Sequence, residues 1–404
     1  MFVLFCRVFQ FIFNLAARVL PWRKAIPVDG AGSIGKIPEL LRNQKVQKPL
    51  LVTDNGLVKA GIAQRIIDVF TQAKIPYAVF SDVEPNPSVN TVNKIQKLYL
   101  AEGCDGFIAL GGGSSMDAAK GAAARVVRPG KSVNQLGGLL KVLKKLPPFI
   151  AIPTTAGTGS ETTIAALITD TDTHHKYAIM DLSLIPHFAI LDPELTRGLP
   201  PAITSTTGMD ALTHAVEAYL CWTYNTGESI QFALDAVKMI FANLEKVYVN
   251  GNNIEGRQAM LLASYKAGFA FTRAGVGNIH AIAHTMGGLY NTPHGLANAV
   301  ILPKVLDDYG EKVHKKLARL AEAAELPGIG SKTNAEKARA FIDAIYAMNE
   351  RMGIPRGFDC IKNEDIPQMV KWAGSESNPI YPVPVIYNKE RFTRMIESIR
   401  LQGK

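Results

Sequence analysis

Cysteine is scarce and scattered. The chain has four, Cys6, Cys104, Cys221 and Cys360, at no recurring spacing. That excludes a disulfide framework and a thiolate-built structural zinc site, and it fits a reducing, cytoplasmic setting. No internal repeat or low-complexity segment is present, and 47% of the residues are hydrophobic, which excludes bulk disorder. Acid is missing from one long stretch. Between Asp117 and Glu161 there is none, while Lys120, Arg125, Arg128, Lys131, Lys141, Lys144 and Lys145 are all basic. No aromatic residue interleaves with these charges before Phe149, and no nucleic-acid motif accompanies them. The stretch therefore reads as a solvated face near a phosphate-bearing cofactor, with no nucleic-acid partner. The net charge is +9, and 404 residues suffice for two domains or two lobes.

An unbroken apolar run long enough to span a membrane is also missing. Residues 2–20, FVLFCRVFQFIFNLAARVL, come nearest, but Arg7, Gln10, Asn14 and Arg18 interrupt them at intervals of three and four. A span needs about 20 apolar residues, and no small-x-small cleavage site follows to mark a secretory signal. As a helix, the segment carries one narrow polar stripe. Two readings stand. One is an amphipathic anchor in a membrane interface, its basic side chains reaching the phosphates. The other is a helix packed on the body or on a sister subunit. Residues 1–24 are taken as this separate helix.

From residue 25 to about 200, strands and helices alternate. Apolar runs at Leu50–Thr53, Tyr77–Phe80, Phe107–Leu110 and Phe149–Ile152 read as buried strands, with helices over Gly61–Gln72 and Val89–Tyr99 between them. Two more β-rich runs, Ile164–Thr169 and Phe188–Leu191, follow. The alternation predicts an α/β, Rossmann-like domain with a mostly parallel sheet. Two glycine-rich loops leave strands here. In the first, Gly112, Gly113 and Ser114 open a helix, where glycines admit a pyrophosphate to the exposed N–H groups. The second, Pro153–Thr162, is rich in small hydroxyl residues. His174 and His175, in an Asp/Thr-rich turn, read as solvated. After Leu199-Pro200-Pro201, helical periodicity dominates to the C-terminus, so residues 201–404 form an all-helical domain. Thr333 and Glu336 read as a capping box.

Four of the eight histidines crowd into one stretch of that helical half. Asp210 and His214 lie four apart on a predicted helix and share a face, as do His280 and His284 on another. His294 follows Pro293 at the start of the next segment. A carboxylate and imidazoles from separate elements suit iron or zinc. Spacing alone does not say whether His280 or His284 is a ligand.

The stretches DALTHAVEAY and HAIAHTMGGLYNTPHGLANA resemble the iron-dependent (group III) alcohol dehydrogenases, and the resemblance runs from about residue 25 to the C-terminus. Ser205 and Met286 are unusual at otherwise matching positions; neither is a ligand. The resemblance implies a dehydroquinate synthase-like architecture, with metal bound by Asp210, His214, His280 and His294, and His284 near the nicotinamide and substrate. It implies NAD as cofactor, with Fe2+, or Zn2+, as metal. Asp54 would read the adenosine ribose, ahead of the glycine loop; the other reading of Asp54 is a helix N-cap. Thr154, Thr155 and Thr158 would line the nicotinamide side, and Asn86, Lys176 and Leu195 would also meet the cofactor. The site would lie in the cleft between the lobes. The resemblance further implies a homodimer or larger assembly.

The implied reaction interconverts primary alcohols and aldehydes by hydride transfer to NAD, with His284 relaying the proton. Apolar Ala165, Leu167, Phe271 and Val276 near the pocket favour unfunctionalised alcohols. Glu217, three residues after His214, either orients a ligand from behind or faces solvent. The alternatives are a zinc- and NAD-dependent polyol (glycerol-type) dehydrogenase of the same fold, and a membrane-associated scaffold without activity, which the intact ligand and glycine motifs oppose.

Overall fold

The computed structural model describes residues 1–170 and 176–401, so His174 and His175 lie outside the described residues. The chain forms two compact units. One is Pro21–Gly198; the other combines Met1–Leu20 with Leu199–Lys404.

Among the described residues, the first unit holds nine strands: β1 (Ile26–Asp29), β2 (Pro49–Val52), β3 (Ala78–Phe80), β4 (Gly106–Gly111), β5 (Gly138–Leu139), β6 (Phe149–Pro153), β7 (Ala165–Thr169), β8 (Lys176–Met180) and β9 (Phe188–Leu191). Six form one sheet in the order β1-β9-β6-β4-β2-β3, with every pair parallel. Parallel neighbours need long crossovers, and the helices Ile62–Gln72, Val89–Ala101 and Gly113–Val127 lie between successive strands. The second sheet, β5-β8-β7, is small, and its β7 and β8 run antiparallel.

The strands β2, β4, β6 and β9 are buried at every residue. Covered on both faces, they read in sequence as unbroken apolar runs. Successive side chains still serve opposite cores. Leu50, Val52, Phe107 and Ala109 join Ala118 and Ala122 on one side. Leu51, Ile108, Leu110 and Ile152 join Ile66 and Phe70 on the other. The apolar-run reading finds six strands and misses β1, β5 and β8. β1 is an edge strand with three of its four residues exposed and a proline inside it, so it carries no apolar run.

The basic stretch after Asp117 is a solvated face only in part: Lys141, Lys144 and Lys145 are exposed, and the earlier cations turn inward. Lys120 is fully buried. Arg125 donates to the carbonyls of Arg128 and Pro129, Arg128 to that of Val142, and Lys131 to that of Lys141. These cations satisfy the carbonyls of an irregular loop that has little ladder of its own.

His187 joins β9 to β6, because Phe149 N–H donates to its Nδ1 at 3.1 Å. Burial, with Arg23 and Lys145 nearby, pushes this imidazole down to about 4. A folded state that holds the ring neutral loses stability once the unfolded chain takes up a proton, so the loss begins near pH 6.5 and is complete near pH 4. Discounted for partial exposure, it amounts to about 2 kcal/mol. Urea titrations at pH 7 and pH 4.5 should show His187→Asn losing less stability to acid than the parent chain. An equal loss in both would rule this group out.

In the second unit the helices are Pro201–Leu220, Gly227–Val249, Ile254–Ala274, Asn278–Tyr290, His294–Tyr309, His314–Ala323, Asn334–Arg351, Ile366–Ser377 and Lys389–Ser398, joined by α1 (Phe2–Arg18). Thr333 and Glu336 form the reciprocal cap read from the sequence. The polar stripe of α1 faces the protein, with Cys6, Gln10 and Asn14 buried.

Candidate functional site

The helix Pro201–Leu220 is buried at every residue from Gly208 onward. Small residues let its neighbours close in. A Cβ on Gly208 would stand 2.3 Å from Leu244, and one on Gly295 would stand 2.3 Å from the Thr206 carbonyl and 3.4 Å from Asp210 Cβ. The glycine of Pro293-His294-Gly295 is thus what brings His294 against Asp210. Another glycine acts behind His280: a Cβ on Gly277 would meet Glu217 Oε1 at 2.7 Å.

Asp210, His214, His280 and His294 each offer one donor atom, and the four atoms lie within 4.8 Å of one another. Asp210 Oδ1 is 3.5 Å from His294 Nε2 and 3.9 Å from His280 Nε2. A four-coordinate ion with bonds of about 2.1 Å keeps its donors about 3.4 Å apart, so the set fits a metal ion after a small contraction. Three of the four residues are buried and His294 sits at the rim, which leaves one side open. Burial first, then the neighbouring His214, His294 and His284, hold His280 well below its ordinary pKa. The neutral imidazole is the form that ligates.

The groups behind the four donors are equally ordered. Glu217 accepts from Gly277 N and Ile279 N at 2.9 and 2.8 Å, and its Oε2 lies 2.6 Å from His280 Nδ1. Burial pushes this carboxyl up to about 8 although those N–H groups favour its charge, and the 2.6 Å contact leaves room for one proton between Oε2 and Nδ1. With that proton on Nδ1, Nε2 keeps its lone pair and faces Asp210. The reading of Glu217 as solvent-facing is therefore set aside. Asn298 Nδ2 lies 2.7 Å from Asp210 Oδ1 and 3.1 Å from both His280 Nε2 and His294 Nε2. Its Oδ1 is buried and has no hydrogen-bond partner among the described residues. A single amide meets three donor atoms of the set. The residue is four past His294 on the same helix, a spacing that would have identified it from the sequence.

His284 stands apart from the four donors. Its Nδ1 is 2.6 Å from Glu376 Oε1, which also accepts from Tyr381 Oη at 2.7 Å. Burial alone would raise the Glu376 carboxyl, but His284 and Tyr381 outweigh it and hold it below its ordinary value. Glu376 was missed in the sequence. It is 92 residues from its partner, and no local pattern marks it. Phe271 lies flat against His214, ring centroids 4.1 Å apart, and gives that flank an apolar wall.

The first unit carries the two glycine loops side by side. Thr154 N donates to the Gly111 carbonyl at 3.0 Å. A Cβ on Gly112 would meet Thr155 Oγ1 at 3.4 Å, and one on Gly113 would meet Thr158 at 3.1 Å. The helix Gly113–Val127 starts here without a side-chain cap, the arrangement that receives a phosphate. Asn86 joins the cluster: its N–H donates to Ser114 Oγ, and Lys176 Nζ donates to its Oδ1 at 2.6 Å. Two further residues expected at the cofactor also serve the fold. Leu195 is 1% exposed within the apolar core, because its short 3-10 turn points it under the sheet. Asp54 does cap a helix, accepting from Leu57 N at 3.0 Å.

These features have counterparts in known proteins. The family model for iron-containing alcohol dehydrogenase matches residues 27–193. The model for the C-terminal region of the Fe-containing alcohol dehydrogenase family matches residues 204–399. The chain is 37% identical over 360 residues to the NAD-dependent methanol dehydrogenase of Bacillus methanolicus, covering 87% of this chain and 93% of that protein. It is 37% identical over 355 residues to the 1,3-propanediol dehydrogenase of Klebsiella pneumoniae, covering 86% and 90%. Among solved structures, a 1,3-propanediol oxidoreductase is similar with a TM-score of 0.90 at 34% identity, covering 95% of this chain and all of that one. With both of its halves matched, this chain belongs to the iron-containing alcohol dehydrogenase family.

Proposed function

We propose that the chain is a metal- and NAD-dependent alcohol dehydrogenase that interconverts primary alcohols and aldehydes. The observation that carries this reading is the convergence of Asp210, His214, His280 and His294 from three helices, with their donor atoms within 4.8 Å. These four residues would hold the metal, with the Asn298 amide beside it. A bound Fe2+ or Zn2+ supplies Lewis acidity toward the substrate oxygen, and NAD supplies the hydride acceptor. The rest falls to the chain's own residues. Glu217 fixes the ring of His280. Glu376 holds Nδ1 of His284, which leaves Nε2 as the atom that takes or gives the substrate proton. Phe271 keeps water from one flank. Gly112, Gly113, Ser114, Asn86, Lys176, Thr154, Thr155 and Thr158 would receive the phosphates and nicotinamide side of NAD. The second carboxylate oxygen of Asp54 would take the ribose. The chain is read as a homodimer or larger assembly.

The test is NAD reduction by protein purified without oxygen, stripped, and reloaded separately with iron and with zinc. Substrates are primary alcohols of increasing length, with glycerol for comparison. Turnover restored by iron and rising with chain length is expected. Turnover only with zinc and glycerol would move the chain to the polyol-dehydrogenase reading, and none with either metal would remove the reaction.

Glu217→Gln keeps one acceptor oxygen, enough for Gly277 N or Ile279 N but not both, and cannot become a carboxylate behind His280. Partners of this kind are worth about 10- to 100-fold in metal affinity. Chelator competition should show a weakening of that size with secondary structure unchanged. Unaltered affinity would leave Glu217 as a helix cap alone.

A further inference from the structure

The helix α1 is docked against the protein by its polar side. Arg7 donates to the carbonyls of Val383 and Pro384 at 2.8 and 2.9 Å, and its guanidinium lies 4.9 Å over the Trp222 ring. Gln10, fully buried, donates to the Pro379 and Tyr381 carbonyls and accepts from Trp222 Nε1. Asn14 donates to Thr223 Oγ1. The stripe thus satisfies main-chain groups of the segment 379–384, and hydrogen bonds fix the rotation of the helix. An amphipathic surface helix ordinarily buries its apolar face. Here that face points outward: Leu4, Phe5, Val8, Phe11, Ile12 and Leu15 are 49–69% exposed. Trp222 and Ile380, beside the docked stripe, are also exposed. A contiguous apolar surface of this kind marks a binding surface.

Charge decides between the candidate occupants. Of the two cations in α1, Arg7 is turned inward and Arg18 is exposed; the helix holds no acid, in a chain of net charge +9. The two segments beneath α1, residues 221–226 and 378–388, contain no charged residue. Two copies of this face brought together would have no ion pair to fix their register, and the exposed Arg18 would meet no acid from the other α1. A layer of anionic headgroups over hydrocarbon answers both features. At 17 residues the helix is about 25 Å long, and among the described residues no helix is long and apolar enough to cross a membrane. The family match begins only at residue 27, so the helix stands outside the part that defines the enzyme. We propose that the outer face of α1 docks the protein, lying flat, on an anionic lipid surface. The inference does not depend on the proposed reaction.

The test is co-sedimentation of the full chain with vesicles of phosphatidylcholine alone and of phosphatidylcholine with phosphatidylglycerol. The expected result is binding to the mixed vesicles that weakens as salt is raised. The triple variant Phe5→Asp, Phe11→Asp, Leu15→Asp, with all three side chains already in solvent, should lose at least about 100-fold in binding and keep its solution mass and helix content. Arg18→Glu changes the charge by two and should lose roughly 20-fold on the mixed vesicles. Absence of binding by the parent chain, or undiminished binding by the triple variant, would overturn the proposal. So would a triple variant whose solution mass halves, since the face would then join two copies of the chain.

Discussion

Asp210→Ala is expected to lose its metal and its turnover together, while keeping its fold and its affinity for NAD. The carboxylate is the sole anion among the four donors, and it lies 3.5 and 3.9 Å from two of the three imidazoles. Without it, three neutral rings remain in a buried pocket, and the dication loses its charge compensation. Lewis-acid stabilisation of the developing charge is worth several kcal/mol, so kcat/KM should fall by about a thousand-fold or more. The fold should tolerate the change, because alanine is the best residue in a helix interior and the substitution removes an ion from a dry site. Asp210→Asn refines the test. It keeps the shape, removes the charge, and presents an amide to Asn298 Nδ2, now 2.7 Å from Oδ1. Metal content by elemental measurement, unfolding by denaturant and NAD titration should separate the outcomes. Full metal occupancy with intact turnover in Asp210→Ala would remove this residue from the site, and with it the reading built on the four donors.

The cluster was legible because a helix repeats, and the family resemblance chose the four donors within it. Asp210 and His214 share a face through a spacing of four, and Gly295 marks where two helices touch. What the sequence leaves open is direction. His280 and His284 have the same spacing and the same neighbours in the chain, and they differ only in what lies behind them. Glu217 comes from the preceding ligand helix and Glu376 from a helix 92 residues further on. The first was visible as a choice between two roles; the second was not visible at all, since no periodicity joins residues so far apart. The buried strands were legible for a comparable reason: a strand covered on both faces must be apolar throughout. An edge strand such as β1 escapes that demand and so escapes detection. For α1 the stripe was legible, and the side it faces was left open between two readings. Polar residues at intervals of three and four describe a stripe equally well whether water or a row of carbonyls lies opposite. Only the packing of residues 379–384 decides.

Lys120 shows the same limit in its strongest form, and it carries the largest expected effect on stability. In the sequence it is one of seven cations in an acid-free stretch. In the structure it is fully buried, and its Nζ donates to the carbonyls of Ser160, Thr163 and Ala165 and to the hydroxyls of Ser160 and Thr163. Asp117, one helical turn earlier, accepts from Ser160 Oγ and from Leu167 N. The helix that leaves the first glycine loop thus pins the far end of the second. Burial pushes the Lys120 ammonium down to about 8, against the pull of Asp117 and Glu161, so at neutral pH it remains a cation held by these oxygens. Lys120→Met fits a similar volume and leaves three buried carbonyls without their donor. Each such group costs about 1–3 kcal/mol, and breaking one side of a buried charged cluster costs about 3–5 kcal/mol. A loss in that range should appear as a denaturant midpoint shift of the first unit. The loops should also separate at Thr158, so NAD should bind more weakly even where the variant is folded. Lys120→Arg distinguishes charge from shape. It retains the cation but must fit a planar fork where a compact ammonium sits among five acceptors, and it should recover only part of the stability. A methionine variant as stable as the parent would mean that the loop carbonyls find other donors, and that Lys120 does not hold the two loops together.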